Sequence, residues 1–207
     1  MTTMPARLAP LATQYDWARG RLLARLAGGE AAGEYGLAGP VLPMTDEEHL
    51  WEPAAGCWSV RRRADGPGQG AEFLVGAGEW GRDSAKPPHP SPPPVTTIAW
   101  RLAHLSESLA MRADHMTGSH ALTRDEYEFH GDAAGAVAAF EAGSLAWRAV
   151  LDEADEAALD QAGRSTYPHG ADPGIPFIEL AWWVNLEVIH HGAEIALLRD
   201  LYRARQG

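Results

Sequence analysis

Residues 180–201, LAWWVNLEVIHHGAEIALLRDL, carry the clearest helical pattern in the chain. Alternating steps of four and three residues connect one set of positions in it: Leu180, Val184, Glu187, His191, Glu194, Leu198 and Leu201. This spacing traces one face of an α-helix, the face that normally packs into the core of a helical bundle. Apolar residues occupy both ends of this face and polar residues occupy its centre. We therefore predict a long helix with ionisable groups in the middle of its buried side.

Glu187 and His191 are four residues apart, so their side chains point to the same place on the predicted helix. An uncompensated buried carboxylate is costly, and such groups persist when they are paired or bound to a metal. A metal ion is the simplest partner for both side chains. Two alternatives remain open: a solvated pair on a surface helix, and a pair neutralised by an arginine without any metal.

A metal site needs a further ligand, since a catalytic zinc ion uses three protein ligands and keeps one open position. The third ligand must come from another helix, and His104 is the leading candidate because it lies in a mostly apolar stretch, well inside a predicted helix. His190 points about 100° away from His191 and is not expected to bind the same ion. Glu194, three residues after His191, is predicted to hold the His191 ring as a hydrogen-bond partner.

The composition predicts a substantial core and no basic patch. Among 207 residues, 45% are hydrophobic and eight are Trp, and 17 basic against 28 acidic residues give a net charge of -11. Nucleic-acid binders usually carry a basic patch, so no nucleic-acid partner is expected. No apolar run reaches the ~20 residues of a membrane span, and residues 1–10 do not resemble a secretory signal. The single cysteine, Cys57, is predicted to be a buried, inert thiol, and one thiol without a signal indicates a cytoplasmic protein.

Four segments have the length and periodicity of long helices: about 9–26, 96 or 97 to 116, 132–155 with Asp132 as N-cap, and 176–205. The stretch between the first two is rich in Gly and Pro and is too long for a plain connector. Within it, residues 58–61 and 73–75 are predicted to pair as a hairpin around a turn at 66–70. The sequence thus predicts an all-α, four-helix bundle in one domain, 1–207, with a partly β-hairpin insertion at about 30–94.

Other polar residues have simpler explanations. The remaining histidines fall in predicted loops or near helix ends, where solvated side chains are the rule: His49, His89, His115, His120, His130 and His169. The triplet Arg61-Arg62-Arg63 is predicted to be the solvated end of the hairpin, with a contact to an anionic substrate as the alternative.

Taken together, these segments resemble the DinB-like superfamily. Residues 185–195, NLEVIHHGAEI, resemble the last helix of these proteins, and residues 97–105, TIAWRLAHL, resemble their second helix. Residues 45–61, which include Trp51-Glu52-Pro53 and Trp58-Ser59-Val60, resemble the connector found in one branch of the family. The resemblance spans most of the chain.

The resemblance implies a metal-binding four-helix bundle with one ligand from the second helix and two from the last. Many members use three histidines, whereas this sequence has Glu187 at the first position of the last-helix pair. That departure matches the mycothiol-dependent maleylpyruvate isomerases of the same superfamily and, carried over by position, gives His104, Glu187 and His191 as ligands. Those isomerases have an additional C-terminal domain, and this sequence ends just beyond its last predicted helix. Isomerisation of maleylpyruvate itself is therefore not expected.

From the resemblance we expect a metal-dependent transferase or isomerase that uses a low-molecular-weight thiol such as mycothiol together with an electrophilic substrate. The alternative is a metal-binding or stress-response protein without turnover. Zinc is the expected metal, with nickel, iron and manganese as alternatives because carboxylate and imidazole ligands suit them all. The oligomeric state stays open, with a two-fold homodimer as the candidate. The sequence does not identify catalytic or thiol-binding side chains.

Overall fold

The computed structural model of the protein describes residues 4–37, 41–88 and 90–207. Within these ranges the chain forms six α-helices: α1 (Ala9–Ala27), α2 (Asp46–Leu50), α3 (Ile98–Thr117), α4 (Ala133–Glu153), α5 (Glu156–Leu159) and α6 (Phe177–Gln206). One antiparallel sheet contains three short strands: β1 (Val60–Arg62), β2 (Phe73–Val75) and β3 (Trp80–Ser84). The chain is mostly helical, as predicted, with a small sheet. None of the helices in the described ranges is long and apolar enough to cross a membrane.

The four long helices, α1, α3, α4 and α6, begin and end where the local chemistry favours a boundary. Thr97 and Asp132 cap α3 and α4, because their side chains accept hydrogen bonds from the backbone N–H groups of Trp100 and Gly135. α1 ends at Ala27 and is followed by Gly28, whose φ of 74° is a backbone conformation that favours glycine. Each long helix begins and ends within two residues of its predicted bounds.

Packing in the core brings α3 and α6 together. α3 lies along α4, α1 lies against α6, and α3 also contacts α6. Large buried side chains fill the space between these helices, among them Leu102 on α3, Phe140 and Trp147 on α4, and Val184 on α6. Burial of such side chains supplies the dominant favourable free energy of folding. The contact between α3 and α6 matters most for the site, since the two helices carry the candidate ligands.

The predicted hairpin is wrong, because the two predicted strands do not pair with each other. β3 lies between β1 and β2 and runs antiparallel to both. β3 could not be recognised in the sequence, because it does not alternate between buried apolar and exposed polar residues. The consecutive charged residues Arg82 and Asp83 are both buried. Each is compensated by an opposite charge: Arg82 pairs with Glu107, and Asp83 pairs with Arg61. Such pairing makes burial of charged residues in a strand tolerable.

Two hydrogen bonds fix the sheet to the N-terminal end of α3. The indole N–H of Trp100 donates to the backbone carbonyl of Asp83 at 2.9 Å. The backbone N–H of Thr97 donates to the carbonyl of Trp58, also at 2.9 Å. The residues between α2 and α3 therefore pack against the same helix that carries His104.

A buried ion pair fixes α2 to α6. Arg199 donates through Nε and Nη2 to the two carboxylate oxygens of Glu48, at 2.7 and 3.0 Å. Arg199 is 1% exposed and Glu48 is 2% exposed. Arg199 also donates to the carbonyl of Leu42 at 3.0 Å. A two-point contact of this kind is geometrically specific, and loss of one partner leaves a buried charge unpaired.

We expect Arg199→Leu to lower the free energy of unfolding by about 3–5 kcal/mol, because it leaves the Glu48 carboxylate buried without its partner. Urea denaturation followed by circular dichroism measures this change. The double variant Arg199→Leu/Glu48→Leu is the control and should recover most of the loss, since it buries no charge. A loss below about 1 kcal/mol in the single variant would show that the pair does not stabilise the fold.

Candidate metal centre

The polar centre of α6 is buried as the spacing predicts, but the buried face is shorter than predicted. Leu180 and His191 are buried, and Glu187 is half-buried. Leu201 is 47% exposed, so the prediction that the C-terminal end of this face is buried is wrong at that position. In the last turns of α6 the buried positions are Ile195 and Arg199 instead, because a helix with 3.6 residues per turn gradually rotates a pattern of alternating four- and three-residue steps away from the core.

Three side chains from two helices converge on one point: His104 from α3, and Glu187 and His191 from α6. Glu187 Oε2 lies 3.2 Å from His104 Nε2 and 3.3 Å from His191 Nε2. One potential ligand atom from each residue lies within 4.8 Å of the other two. The two imidazole rings are nearly perpendicular, with centroids 4.9 Å apart and an interplanar angle of 89°. This arrangement could hold a metal ion with two nitrogen ligands and one oxygen ligand.

Burial keeps His104 in the form that binds metals. Removal from water lowers the pKa of the His104 imidazole to about 4, although the hydrogen bond with Glu187 acts in the opposite direction. Trp100, one turn earlier on α3, stacks on the His104 ring at a centroid distance of 5.4 Å. At pH 7 His104 is therefore a neutral imidazole with a nitrogen lone pair that a metal ion can use.

Glu187 is a carboxylate rather than a carboxylic acid. Burial alone would raise the pKa of its carboxyl group. The hydrogen bonds with His104 and His191 outweigh burial and lower the pKa of Glu187 below its ordinary value. A charged oxygen between two imidazoles is a ligand set that suits a divalent cation.

Glu194 holds the His191 ring, in agreement with the position expected from the sequence. Its Oε2 lies 2.6 Å from His191 Nδ1, and the proton is on Nδ1 because a carboxylate only accepts. Arg101 Nε, on α3, lies 3.1 Å from the same oxygen and anchors it. His191 Nε2, which lies 3.3 Å from Glu187 Oε2, is then the ring nitrogen that could bind a metal ion.

His190 lies outside this cluster. Its side chain is 60% exposed, and its Nε2 lies 3.4 Å from Glu194 Oε1. The His190 ring stacks on the His191 ring with centroids 5.0 Å apart. Because His190 faces Glu194 and solvent, the geometry gives it no place in the group of three.

The candidate metal position lies beside a cavity of about 430 Å³. His104 lines this cavity, and so does Arg101 from the preceding turn of α3. The remaining lining residues are Trp58, Arg82, Ser84, Pro90, Pro93, Pro94, Thr96, Trp100 and Arg124. A small molecule in the cavity would therefore lie next to one of the candidate ligands.

The sequence did not identify the cationic residues of the cavity. Arg82 lies on β3, which was not predicted, and Arg124 lies in the loop between α3 and α4. Arg101 precedes His104 by three residues, so both point to one side of α3. That spacing is the one signal in the sequence that could have identified Arg101.

Two of the other histidines are buried, so the prediction of solvated side chains is wrong for them. His49 on α2 is fully buried, and burial lowers the pKa of its imidazole to about 4. His115 is 6% exposed, and its ring nitrogens lie 2.8 Å from Thr166 Oγ1 and 2.9 Å from the carbonyl oxygen of Leu122. His89 lies outside the described residues. Neither His49 nor His115 belongs to the metal cluster.

The arginine triplet stabilises the sheet rather than ending a hairpin. Arg61 pairs with the buried Asp83 at 2.8 Å, and Arg62 pairs with Glu79. None of the three arginines is among the residues that line the cavity. Cys57 is 1% exposed, and burial raises the pKa of its thiol. The prediction of a buried cysteine is therefore confirmed, and a raised thiol pKa supports the prediction that it is inert.

We expect Glu187→Ala to abolish zinc retention, because it removes the charged oxygen between the two imidazoles. Wild-type protein purified without a chelator or a histidine tag should hold about one zinc ion per chain, measured by plasma mass spectrometry. The control is His190→Ala, an exposed histidine on the same helix, which should retain zinc at the wild-type ratio. Normal zinc content in Glu187→Ala, or equal losses in both variants, would contradict the ligand assignment.

Comparison with known proteins places the chain in a family. Searches of curated proteins and of solved structures return no match. The family model described as the DinB superfamily matches residues 14–195, which extend from α1 to α6 and make up most of the chain. The matched range includes all three residues of the candidate metal centre, and it agrees with the resemblance seen in the sequence. The chain therefore belongs to the DinB superfamily.

Proposed function

We propose that this DinB-superfamily protein is a metal-dependent enzyme that joins a low-molecular-weight thiol, such as mycothiol, to an electrophilic carbon. It would act as an S-transferase or as an isomerase. The observation that carries the proposal is the convergence of His104, Glu187 and His191 beside a cavity of about 430 Å³. A catalytic metal site keeps one position open to a substrate, and a cavity beside the ligands supplies the space for it.

The donor set fits a divalent metal. Burial keeps His104 neutral at pH 7, and hydrogen bonds keep Glu187 ionised, so both are in the form that binds a cation. Glu194 holds the proton of His191 on Nδ1 and leaves Nε2 free to act as a ligand. When bound in such a set, zinc lowers the pKa of a coordinated thiol and holds it as the thiolate. Zinc is the metal we propose, and nickel, iron and manganese suit the same ligands.

The residues around the cluster would orient the reactants. Glu194 and Arg101 hold His191 in place across the contact between α3 and α6. Trp58 and Trp100 give the cavity apolar walls that limit the access of water to the sulfur. The thiolate sulfur forms a bond to the electrophilic carbon while a leaving group departs with its electron pair. With an alkene, the C=C π pair would instead move to the neighbouring carbon. In a transferase that carbon would then take up one proton in place of the proton that the thiol released. In an isomerase the substrate would rotate about the former double bond, the same electron pair would re-form C=C, and the thiolate would leave unchanged.

A second candidate function is a metal-binding or stress-response protein without turnover. One observation favours it. In the described part of the chain, the cavity lining holds no carboxylate and no histidine other than His104. A reaction that needs a separate general base would find none there. Thiol transfer at a metal does not need one, because the bound thiol is already deprotonated.

We also propose a domain organisation, an oligomeric state and a cellular location for the protein. Residues 1–207 would form one DinB-like domain, a four-helix bundle of α1, α3, α4 and α6 with residues at about 30–94 inserted between its first two helices. Exposed apolar side chains on α1 and α6, including Trp17, Ile189 and Leu197, support a two-fold homodimer. A cytoplasmic location fits a reaction that consumes a reduced thiol.

The test is conjugation of mycothiol to 1-chloro-2,4-dinitrobenzene, followed by the absorbance of the thioether product. We expect zinc-loaded wild-type protein to accelerate the reaction, and Glu187→Ala or treatment with a chelator to reduce the rate at least about a hundredfold. His190→Ala is the matched control and should keep the wild-type rate.

The result that would contradict the enzyme proposal is zinc-replete protein that forms no conjugate and, in the presence of the thiol, isomerises no alkene. A panel of low-molecular-weight thiols and electrophiles should be tried before that result is accepted. It would leave the non-catalytic metal-binding protein as the explanation. Protein that holds no metal at all would contradict both proposals.

A further inference from the structure

The cavity beside the metal centre is lined by cationic side chains and, in the part of the chain that the structure describes, by no acidic residue. Three of the lining residues are arginines: Arg82, Arg101 and Arg124. Arg82 and Arg124 share the buried carboxylate of Glu107, and Arg101 pairs with Glu194. These pairs fix the guanidinium groups in place and leave further N–H donors on each of them.

With a divalent metal bound, the site would carry two positive charges in excess. The three arginines are balanced by three carboxylates, those of Glu107, Glu194 and Glu187. The metal adds two positive charges, and a thiolate neutralises one of them. Because a net charge in a buried site is costly, the remaining positive charge favours a substrate that carries an anionic group.

Three lining residues hold buried polar atoms that make no hydrogen bond within the described ranges: Arg82 Nε, Thr96 Oγ1 and Arg101 Nε. Arg101 Nε already lies 3.1 Å from the Glu194 carboxylate, whereas Arg82 Nε and Thr96 Oγ1, on residues that are only 4% and 5% exposed, have no such partner. Buried polar groups are nearly always paired, so unpaired donors in a cavity wall mark a place where a ligand can accept hydrogen bonds. Arg82 is also held between two rings, with Cζ 4.9 Å from the ring centre of Trp100 and 5.7 Å from that of Phe129.

The rest of the lining is largely flat and apolar. The rings of Trp58 and Trp100 lie with their centroids 6.4 Å apart, and Pro90, Pro93 and Pro94 add to the wall. Indole and proline rings give apolar contact area and few hydrogen-bonding groups, so they favour a planar apolar molecule over a sugar or a peptide.

From these contacts we infer that the cavity binds a substrate with a planar, apolar body and one carboxylate, and that Arg82 and Thr96 bind this carboxylate. Arg82 donates its Nε–H and Thr96 donates its hydroxyl, because these two lining atoms have neither a hydrogen bond nor an ion-pair contact within the described ranges. The carboxylate supplies the negative charge that the metal-loaded site still needs. This inference rests on the proposed function, in which the substrate described here is the electrophile.

The test is isothermal titration calorimetry of the full chain with 2-naphthoate and with its neutral isostere 2-naphthamide, in zinc-free and zinc-loaded protein. Thr96→Val is the informative variant, because it keeps the shape of the side chain and removes a hydroxyl that makes no hydrogen bond in the described structure. The fold is therefore retained, and a thermal melt verifies this. Thr13→Val, an exposed position on α1, is the control.

We expect 2-naphthoate to bind at least about tenfold more tightly than 2-naphthamide, and Thr96→Val to weaken naphthoate binding about tenfold while Thr13→Val leaves it unchanged. The loss in Thr96→Val should persist in zinc-free protein, where the carboxylate has no metal to bind. The preference for the acid over the amide should be smaller there but still present, because the zinc-free site has no excess positive charge and keeps its hydrogen-bond donors. Equal binding of acid and amide, no binding of either, or wild-type affinity in Thr96→Val would overturn the inference. Failure of the proposed function is distinguishable, since it appears as missing zinc or a missing thiol conjugate in separate measurements.

Discussion

The carboxylate of Glu187 lies between two imidazoles from different helices, and the candidate metal centre depends on that contact. Its Oε2 is within 3.3 Å of Nε2 on both His104 and His191. A carboxylate in the buried face of a helix is unfavourable unless its charge is compensated. Glu194, anchored by Arg101, keeps the proton of His191 on the nitrogen that faces away from Glu187. His191 Nε2 and Glu187 Oε2 therefore face each other, and a metal ion held there would contact all three side chains at once.

The residues between α1 and α3 give this centre its chemical surroundings. Strand β3 contributes Arg82 to the cavity, and Trp58, just before β1, contributes to its wall. Trp100 connects the two regions, because its indole N–H binds the carbonyl of Asp83 while its ring stacks on His104. Membership in the DinB superfamily does not determine the reaction, since function depends on the site rather than on the fold. The charge and shape of this cavity are therefore the features that bear on which substrate is used.

The long helices could be predicted from the sequence because their apolar spacing and caps are local properties. The pairing of Glu187 with His191 is also local, since both lie on one helix. The choice of His104 as the third ligand could not be made from a local pattern on α6, because His104 lies on another helix. It depended on the position of His104 in an apolar stretch and on the family resemblance. Strand β3 could not be predicted, because Arg82 and Asp83 are buried against partners that are distant in sequence, and a local pattern carries no information about such pairs. Arg82 and Arg124 were not predicted as residues of the cavity for the same reason, because both pair with Glu107, which is distant from them in sequence.

A crystal structure of the zinc-loaded protein, with anomalous scattering recorded at the zinc edge, would show whether His104, Glu187 and His191 bind one metal ion. We expect one anomalous peak per chain, about 2.0–2.2 Å from His104 Nε2, His191 Nε2 and an oxygen of Glu187, with the open position facing the cavity. A zinc ion bound instead through His190 and Glu194, or a structure in which His104 does not contact the metal, would contradict the account.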